Sequence, residues 1–186
     1  MLVLGFGRVG QTIGKLLSAE GVNYIALDTD PYIITHCRHR GKPIYYGDCT
    51  RREVLNAVSV TRAKAAVVTV NDFYLANKAV IALKHAAPSL PIIARTHDLP
   101  SVIKLEEAGA DVAVSEMFEG SLQLGGTLLR KLQVPDHEIS RVIDLFRERD
   151  YALTTANIVA RDTEPSRKSQ QVLFRRAKVS GAIVNK

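Results

Sequence analysis

Gly5, Phe6, Gly7, Arg8, Val9 and Gly10 form a G-x-G-x-x-G run that follows an apolar stretch and opens a helical one. Glycines at that spacing suit a phosphate group. Gly5 permits a tight turn, Gly7 lets the backbone approach the anion without a Cβ in the way, and Gly10 lets the helix lie close on the strand. The helix beginning there turns unpaired N–H groups and its positive dipole end toward the phosphate. Asp28 closes the next apolar stretch, 18 residues after Gly10. A carboxylate at that place accepts hydrogen bonds from both ribose hydroxyls and repels a 2′-phosphate, which favours NAD(H) or an adenosine nucleotide over NADP(H). Arg8, inside the turn, can fold over a phosphate or reach across to a partner subunit.

Further polar residues fall at the C-terminal ends of apolar runs: Asp30, Asp48, Asn71 and Asp72, with Arg95 after the fifth run. In an open parallel sheet that edge is where ligands bind, although each of these residue types also caps helices and builds turns. Asp48 and Thr50 form a polar turn beside the expected adenosine. Hydride-transfer chemistry would need a second substrate and a general acid or base held in a substrate domain. His85 and His97 have no evident orienting partner, and only 36 residues follow position 150. An NAD-dependent oxidoreductase is therefore the lesser alternative. A dimerisation module without a ligand is the other, and the intact glycines with Asp28 argue against it. His36, Cys37 and His39 fit no common zinc spacing and read as a polar helix surface.

These residues need a scaffold of short strands alternating with helices. Apolar runs at 2–4, 23–27, 43–46, 65–70, 91–94 and 112–114 read as strands. Helices are expected at 11–19, ended by Gly21, then after Pro31, at 51–58 with Thr50 as N-cap, and at 72–87, 98–108 and 116–132. The run at 65–70 is the most continuously apolar, as suits a central strand buried on both faces. Six strands alternating with helices predict an α/β Rossmann-type fold, a doubly wound parallel six-stranded sheet. Right-handed crossovers put the glycine turn at the topological switch point. The expected division is a nucleotide-binding domain over 1–134 and a helical, partly irregular extension over 135–186. Within the extension an amphipathic segment spans 138–146, residues 154–159 and 172–174 read as strands, and 163–171 reads as loose.

The composition fits this scheme. Hydrophobic residues make up 46% of the 186, enough to fill a core. No apolar run reaches the roughly 18 residues that cross a bilayer, and the expectation is a soluble chain. Two cysteines without a C-x-x-C pair suit a reducing compartment. Of the net charge of +6, residues 161–186 supply +5, from seven Lys/Arg against two Asp/Glu. The rest of the chain is close to neutral, which argues against a nucleic-acid surface.

Several stretches resemble one family closely: Gly5 to Gln11, Leu27-Asp28-Thr29-Asp30-Pro31, Tyr46-Gly47-Asp48-Cys49-Thr50-Arg51, Ile93-Ala94-Arg95, Leu105 to Ala110, and Glu116 to Leu124. In this order they resemble the RCK (TrkA-N) domains that regulate potassium transport, above all the cytosolic C-terminal domains of potassium-efflux cation/proton antiporters of the glutathione-gated and plastid types. The resemblance implies a homodimer, often formed by exchanging the helix after the sixth strand. It also implies binding of AMP, ADP, ATP or NAD(H), and nucleotide control of a transmembrane antiporter domain in the same or a companion chain. The place would be the cytoplasmic, or stromal, face of a membrane. An excised piece of a larger transporter is expected, with a stand-alone gating subunit as the alternative. By position it assigns nucleotide contact to Gly5, Phe6, Gly7, Arg8, Val9, Gly10, Asp28, Thr29, Asp30, Arg38, Gly47, Asp48, Cys49, Thr50, Asn71, Asp72, Arg95 and Glu116. Cys49 stands where the family usually has alanine. Thr96-His97-Asp98 stands where glutathione-gated relatives carry a second arginine, so a glutathione-type ligand is without support.

Overall fold

A computed structural model of the chain describes residues 1–159. Six parallel strands, β1 (Leu2–Leu4), β2 (Ile25–Asp28), β3 (Ile44–Tyr46), β4 (Ala66–Val68), β5 (Ile92–Thr96) and β6 (Val112–Ser115), form one sheet in the order β3-β2-β1-β4-β5-β6. Seven helices accompany them: α1 (Arg8–Ala19), α2 (Pro31–Arg38), α3 (Arg52–Ala57), α4 (Phe73–Ala86), α5 (Leu99–Glu107), α6 (Glu116–Lys131) and α7 (Asp136–Val159). This is the doubly wound Rossmann-type arrangement. The order reverses at β1, so the loops after β1 and β4 diverge at the C-terminal edge and leave a crevice there.

The central strands are short and apolar because both faces are covered, whereas Tyr45 and Tyr46 of the edge strand β3 and Val112 of the edge strand β6 are exposed. Val3 lies in register with Ala26 and Val67, and these three join Phe6, Ile34 and Cys37 in the core beneath α1 and α2. Leu2, Leu4, Ala66 and Val68 alternate to the other face and pack with Leu55, Val80, Leu83 and Leu105 of α3, α4 and α5. Met1–Thr154 form one compact unit. Within it α6 and α7 lie against each other: Gly126 of α6 is buried, and a Cβ there would meet Ile143 Cδ1 at 2.7 Å.

Side-chain caps fix where the helices start. Asp30, Asp72, Asp98 and Ser115 each accept a hydrogen bond from the first turn of α2, α4, α5 and α6. Three sequence expectations need correction. The cap position of α3 is Arg51, not Thr50, because the Thr50 hydroxyl is drawn 2.7 Å onto Asp48. Strand β5 runs on to Thr96, so Arg95 lies within the strand rather than after it. Residues 154–159, expected as a strand, continue helix α7. The expectations for 163–171 and 172–174 lie outside the described residues. Among the described residues no helix is long and apolar enough to cross a membrane.

Leu105 is fully buried on the α5 face of the sheet. Leu105→Ala should cost about 2–5 kcal/mol through lost transfer and the cavity left behind, lowering the urea midpoint at an unchanged slope. A cost under about 1 kcal/mol would mean that this face is loosely packed.

Candidate nucleotide-binding cleft

The crevice at the C-terminal edge is a cavity of about 1010 Å³. Its floor is the glycine turn. Gly5 has φ +87°, and a Cβ on it would meet the Val70 nitrogen at 2.9 Å. A Cβ on Gly10 would lie 2.3 Å from the Gly5 carbonyl oxygen. Both positions exclude larger residues on protein grounds alone. Gly7 differs: its φ is −65°, and a Cβ there would meet nothing within 4 Å. No protein atom requires glycine at position 7, and the space above it is cleft. Gly7 is the N-cap position of α1 and makes no side-chain cap bond, so the first N–H groups of the helix face that space.

Asp28, at the end of β2, accepts hydrogen bonds from the backbone N–H of Phe6 at 2.5 Å and of Asp30 at 2.9 Å. These two donors orient the carboxylate beside the turn, and its remaining lone pairs suit ribose hydroxyls. Farther along, Asp48 Oδ1 accepts from the Thr50 hydroxyl and from the Thr50 N–H at 2.9 Å, and Arg51 Nε lies 3.5 Å from Oδ2. The Thr50 hydroxyl first, then its N–H and Arg51, hold the Asp48 carboxyl below the usual carboxylate range. Cys49 sits between them with 8% exposure. Burial, together with the nearby Asp48 and Asp28 carboxylates, pushes its thiol up to about 11, so at neutral pH it is a protonated small side chain and not a nucleophile.

The opposite end of the cleft is an arginine held on three sides. Arg95 pairs with Glu116, the first residue of α6, donates to Asn71 Oδ1 at 2.5 Å, and reaches the Thr69 carbonyl at 3.4 Å. The same first turn of α6 is tied to α7. Arg147 bonds both carboxylate oxygens of Glu119, and the Ser115 N–H donates to the Tyr151 hydroxyl at 3.2 Å.

The cleft wall brings together most of the residues expected from sequence: Gly5, Gly7, Arg8, Val9, Asp28, Thr29, Gly47, Asp48, Cys49, Thr50, Asn71, Arg95 and Glu116. Five others stand elsewhere. Phe6 is buried in the core against Tyr24, and Gly10 is covered by the Gly5 carbonyl. Asp30 and Asp72 spend their side chains as caps of α2 and α4. Arg38 closes α2, donates to the Ile44 carbonyl at 3.0 Å and stacks over Tyr45 at 5.2 Å, off the cleft wall. The sequence reading missed Leu27, Ile33, Thr69, Val70, Leu75 and His97, which also line the cavity. Thr69 carried a signal: it is a polar residue inside the most apolar run, and its hydroxyl lies 2.6 Å from the Gly5 carbonyl. His36, Cys37 and His39 do not gather; Cys37 is buried and His36 stacks on Tyr32. Among the described residues no group of three or more His, Cys, Asp or Glu is placed to hold a metal ion.

Comparison with known proteins gives this architecture a family. The TrkA-N domain profile matches residues 1–116, and the chain belongs to the TrkA-N domain family. It is 38% identical over 149 residues to K(+) efflux antiporter 1, chloroplastic, of Arabidopsis thaliana, covering 80% of this chain and 12% of that protein. It is 30% identical over 185 residues to the glutathione-regulated potassium-efflux system protein KefC of Klebsiella aerogenes, covering 100% of this chain and 30% of that protein. The chain thus spans a third or less of the length of these relatives. Among solved structures it resembles the Shewanella denitrificans Kef CTD in AMP-bound form, with a TM-score of 0.72 and 29% identity over 82% of this chain and 93% of that one. It also resembles GsuK bound to ADP, with a TM-score of 0.60 and 28% identity over 70% of this chain and 34% of that one.

The raised thiol value gives a direct expectation. In the folded protein at neutral pH, Cys49 should react with iodoacetamide far more slowly than after unfolding in urea, and its rate should climb only as the pH approaches about 11. Site-resolved mass spectrometry checks this, and fast labelling of native Cys49 near neutrality would contradict the buried, protonated state.

Proposed function

We propose that this chain is the nucleotide-sensing regulatory domain of a potassium-efflux cation/proton antiporter. The observation that carries the reading is the cleft floor. A helix N-terminus opens over unfilled space at Gly7, and a ribose-accepting carboxylate, Asp28, stands beside it. The ligand class is an adenine nucleotide, AMP, ADP or ATP, or NAD(H). The AMP bound to the similar Kef CTD and the ADP bound to GsuK support that class. The antiporter assignment rests on the relatives, which are potassium-efflux antiporters and efflux-system proteins.

The contact set we assign is narrower than the family positions alone suggest. The N–H groups of Arg8 and Val9, with the Arg8 guanidinium, receive the phosphate. Asp28 receives the ribose. Asp48, Cys49 and Thr50 flank the base. Control then works by linkage: nucleotide favours one arrangement of a homodimer, and a differential affinity of about 1–3 kcal/mol suffices to shift an attached membrane domain between its states. The domain acts at the cytoplasmic, or stromal, face of the membrane. The cleft serves as a ligand site for control rather than for turnover.

Calorimetry with AMP should give saturable binding in the micromolar range or tighter, and no heat with AMP, ADP, ATP, NAD+ or NADH would overturn the reading. The glycines supply the sharper contrast. Gly7→Ala should lower stability by no more than about 1 kcal/mol, since its Cβ meets no protein atom, yet weaken AMP binding roughly tenfold or more, because the methyl group intrudes where the phosphate approaches. Gly10→Ala should instead destabilise the fold itself, its Cβ falling 2.3 Å from a backbone oxygen. If Gly7→Ala binds AMP as the parent does, the phosphate lies elsewhere.

A further inference from the structure

The charges lining the cleft do not match a highly charged ligand. Two guanidiniums, Arg8 and Arg95, face three carboxylates, Asp28, Asp48 and Glu116. Arg95 is already paired with Glu116. Arg8 is exposed and has no ion pair among the described residues, so it is the single uncommitted cation on the wall.

The sheet order gives direction to the charges. On the nucleotide reading, the base lies by the loop after β3, the ribose at Asp28 after β2, and the first phosphate on the turn after β1. Each further phosphate extends the ligand past β4 toward β5 and β6. Arg95 starts on β5, two strands from the phosphate turn, but its guanidinium reaches back to Asn71 and the Thr69 carbonyl just after β4, the strand beside β1, so the Arg95–Glu116 pair stands in the path of a growing polyphosphate. There the ligand meets Glu116 directly, or must draw Arg95 away from it and leave the carboxylate unpaired. Both routes are unfavourable in a partly desolvated cleft. A monophosphate stops short, where the α1 N-terminus and Arg8 match its charge.

We infer that Glu116 is a specificity-determining residue: by holding Arg95 and presenting a carboxylate at the far end of the cleft, it selects nucleoside monophosphates over polyphosphates. This rests on the nucleotide reading above and adds a preference that the fold alone does not dictate, since the glycine turn and Asp28 serve any adenosine nucleotide alike.

The test is titration calorimetry of the full chain with AMP and ATP in EDTA, for the parent, Glu116→Gln and Glu119→Gln. Glu119 lies in the same first turn of α6 but bonds Arg147, off the cleft wall, so its variant controls for a general change in charge. The parent should bind AMP about tenfold or more tighter than ATP, and Glu116→Gln should shrink that ratio by roughly tenfold, the scale of one like-charge contact removed. Glu119→Gln should leave the ratio within about threefold of the parent's. Thermal melts of both isosteric variants establish that they are folded. A parent that binds ATP as tightly as AMP, a ratio unmoved by Glu116→Gln, or an equal shift with Glu119→Gln would each overturn the inference while leaving the nucleotide reading intact. Absence of AMP binding by the parent would instead overturn the nucleotide reading itself.

Discussion

The peptide of Gly5 is the point on which the structure turns. Its N–H donates to the Leu27 carbonyl of β2 at 2.8 Å, and its carbonyl receives the Thr69 hydroxyl just beyond β4. That carbonyl also sits so close under α1 that only a hydrogen fits on Gly10. Four elements therefore meet on one residue whose backbone is left-handed at φ +87°. The chain must leave β1, reverse and enter α1 within this contact, and no side chain can be accommodated in doing so. The cleft is the consequence: α1 is pinned with its N-terminus at the sheet edge, and the loops after β2, β3 and β4 close around it.

The cleft has two unlike ends that share no side chain. Near β2 and β3, carboxylates are positioned by backbone N–H groups and a neighbouring hydroxyl, leaving acceptors turned toward the cavity. Near β5 and β6, a guanidinium is held by three protein acceptors. The second end also adjoins the start of α6, whose first turn is gripped from outside by Arg147 and Tyr151 of α7. The start of α6 is thus bonded by Arg95 from the cleft side and by α7 from outside.

Much of this was legible in the residues, and the reasons are physical. Strands buried on both faces must be apolar, so the six runs stood out, and glycine, proline and aspartate marked the ends between them. The glycine turn with Asp28 located the cleft because that combination lets a helix start close against a strand with an acceptor beside its N-terminus. What escaped was decided by competition for hydrogen bonds. Thr50 looks like a cap of α3, but Asp48 two residues earlier offers its hydroxyl a better acceptor. Asp30 and Asp72 cap α2 and α4, the alternative that their residue types already offered. Arg38 looks available from its type, yet a carbonyl and a tyrosine ring six and seven residues later hold it. Such outcomes depend on where neighbours point, which spacing does not encode. Ile33 and Leu75 line the cleft from the first turns of α2 and α4 and read, as sequence, as ordinary apolar helix residues.

On the function proposed above, the glycine turn is a phosphate site and the adjoining edge a nucleoside site. Amide chemical-shift mapping of the labelled chain during an AMP titration tests it most directly. Saturable shifts are expected at Gly7, Arg8 and Val9, at Thr29 and at Cys49 to Thr50, with little change at Asn23 to Ile25, at the opposite end of β2. Shifts centred on that opposite end, or no saturable shift at Gly7 to Val9, would contradict it.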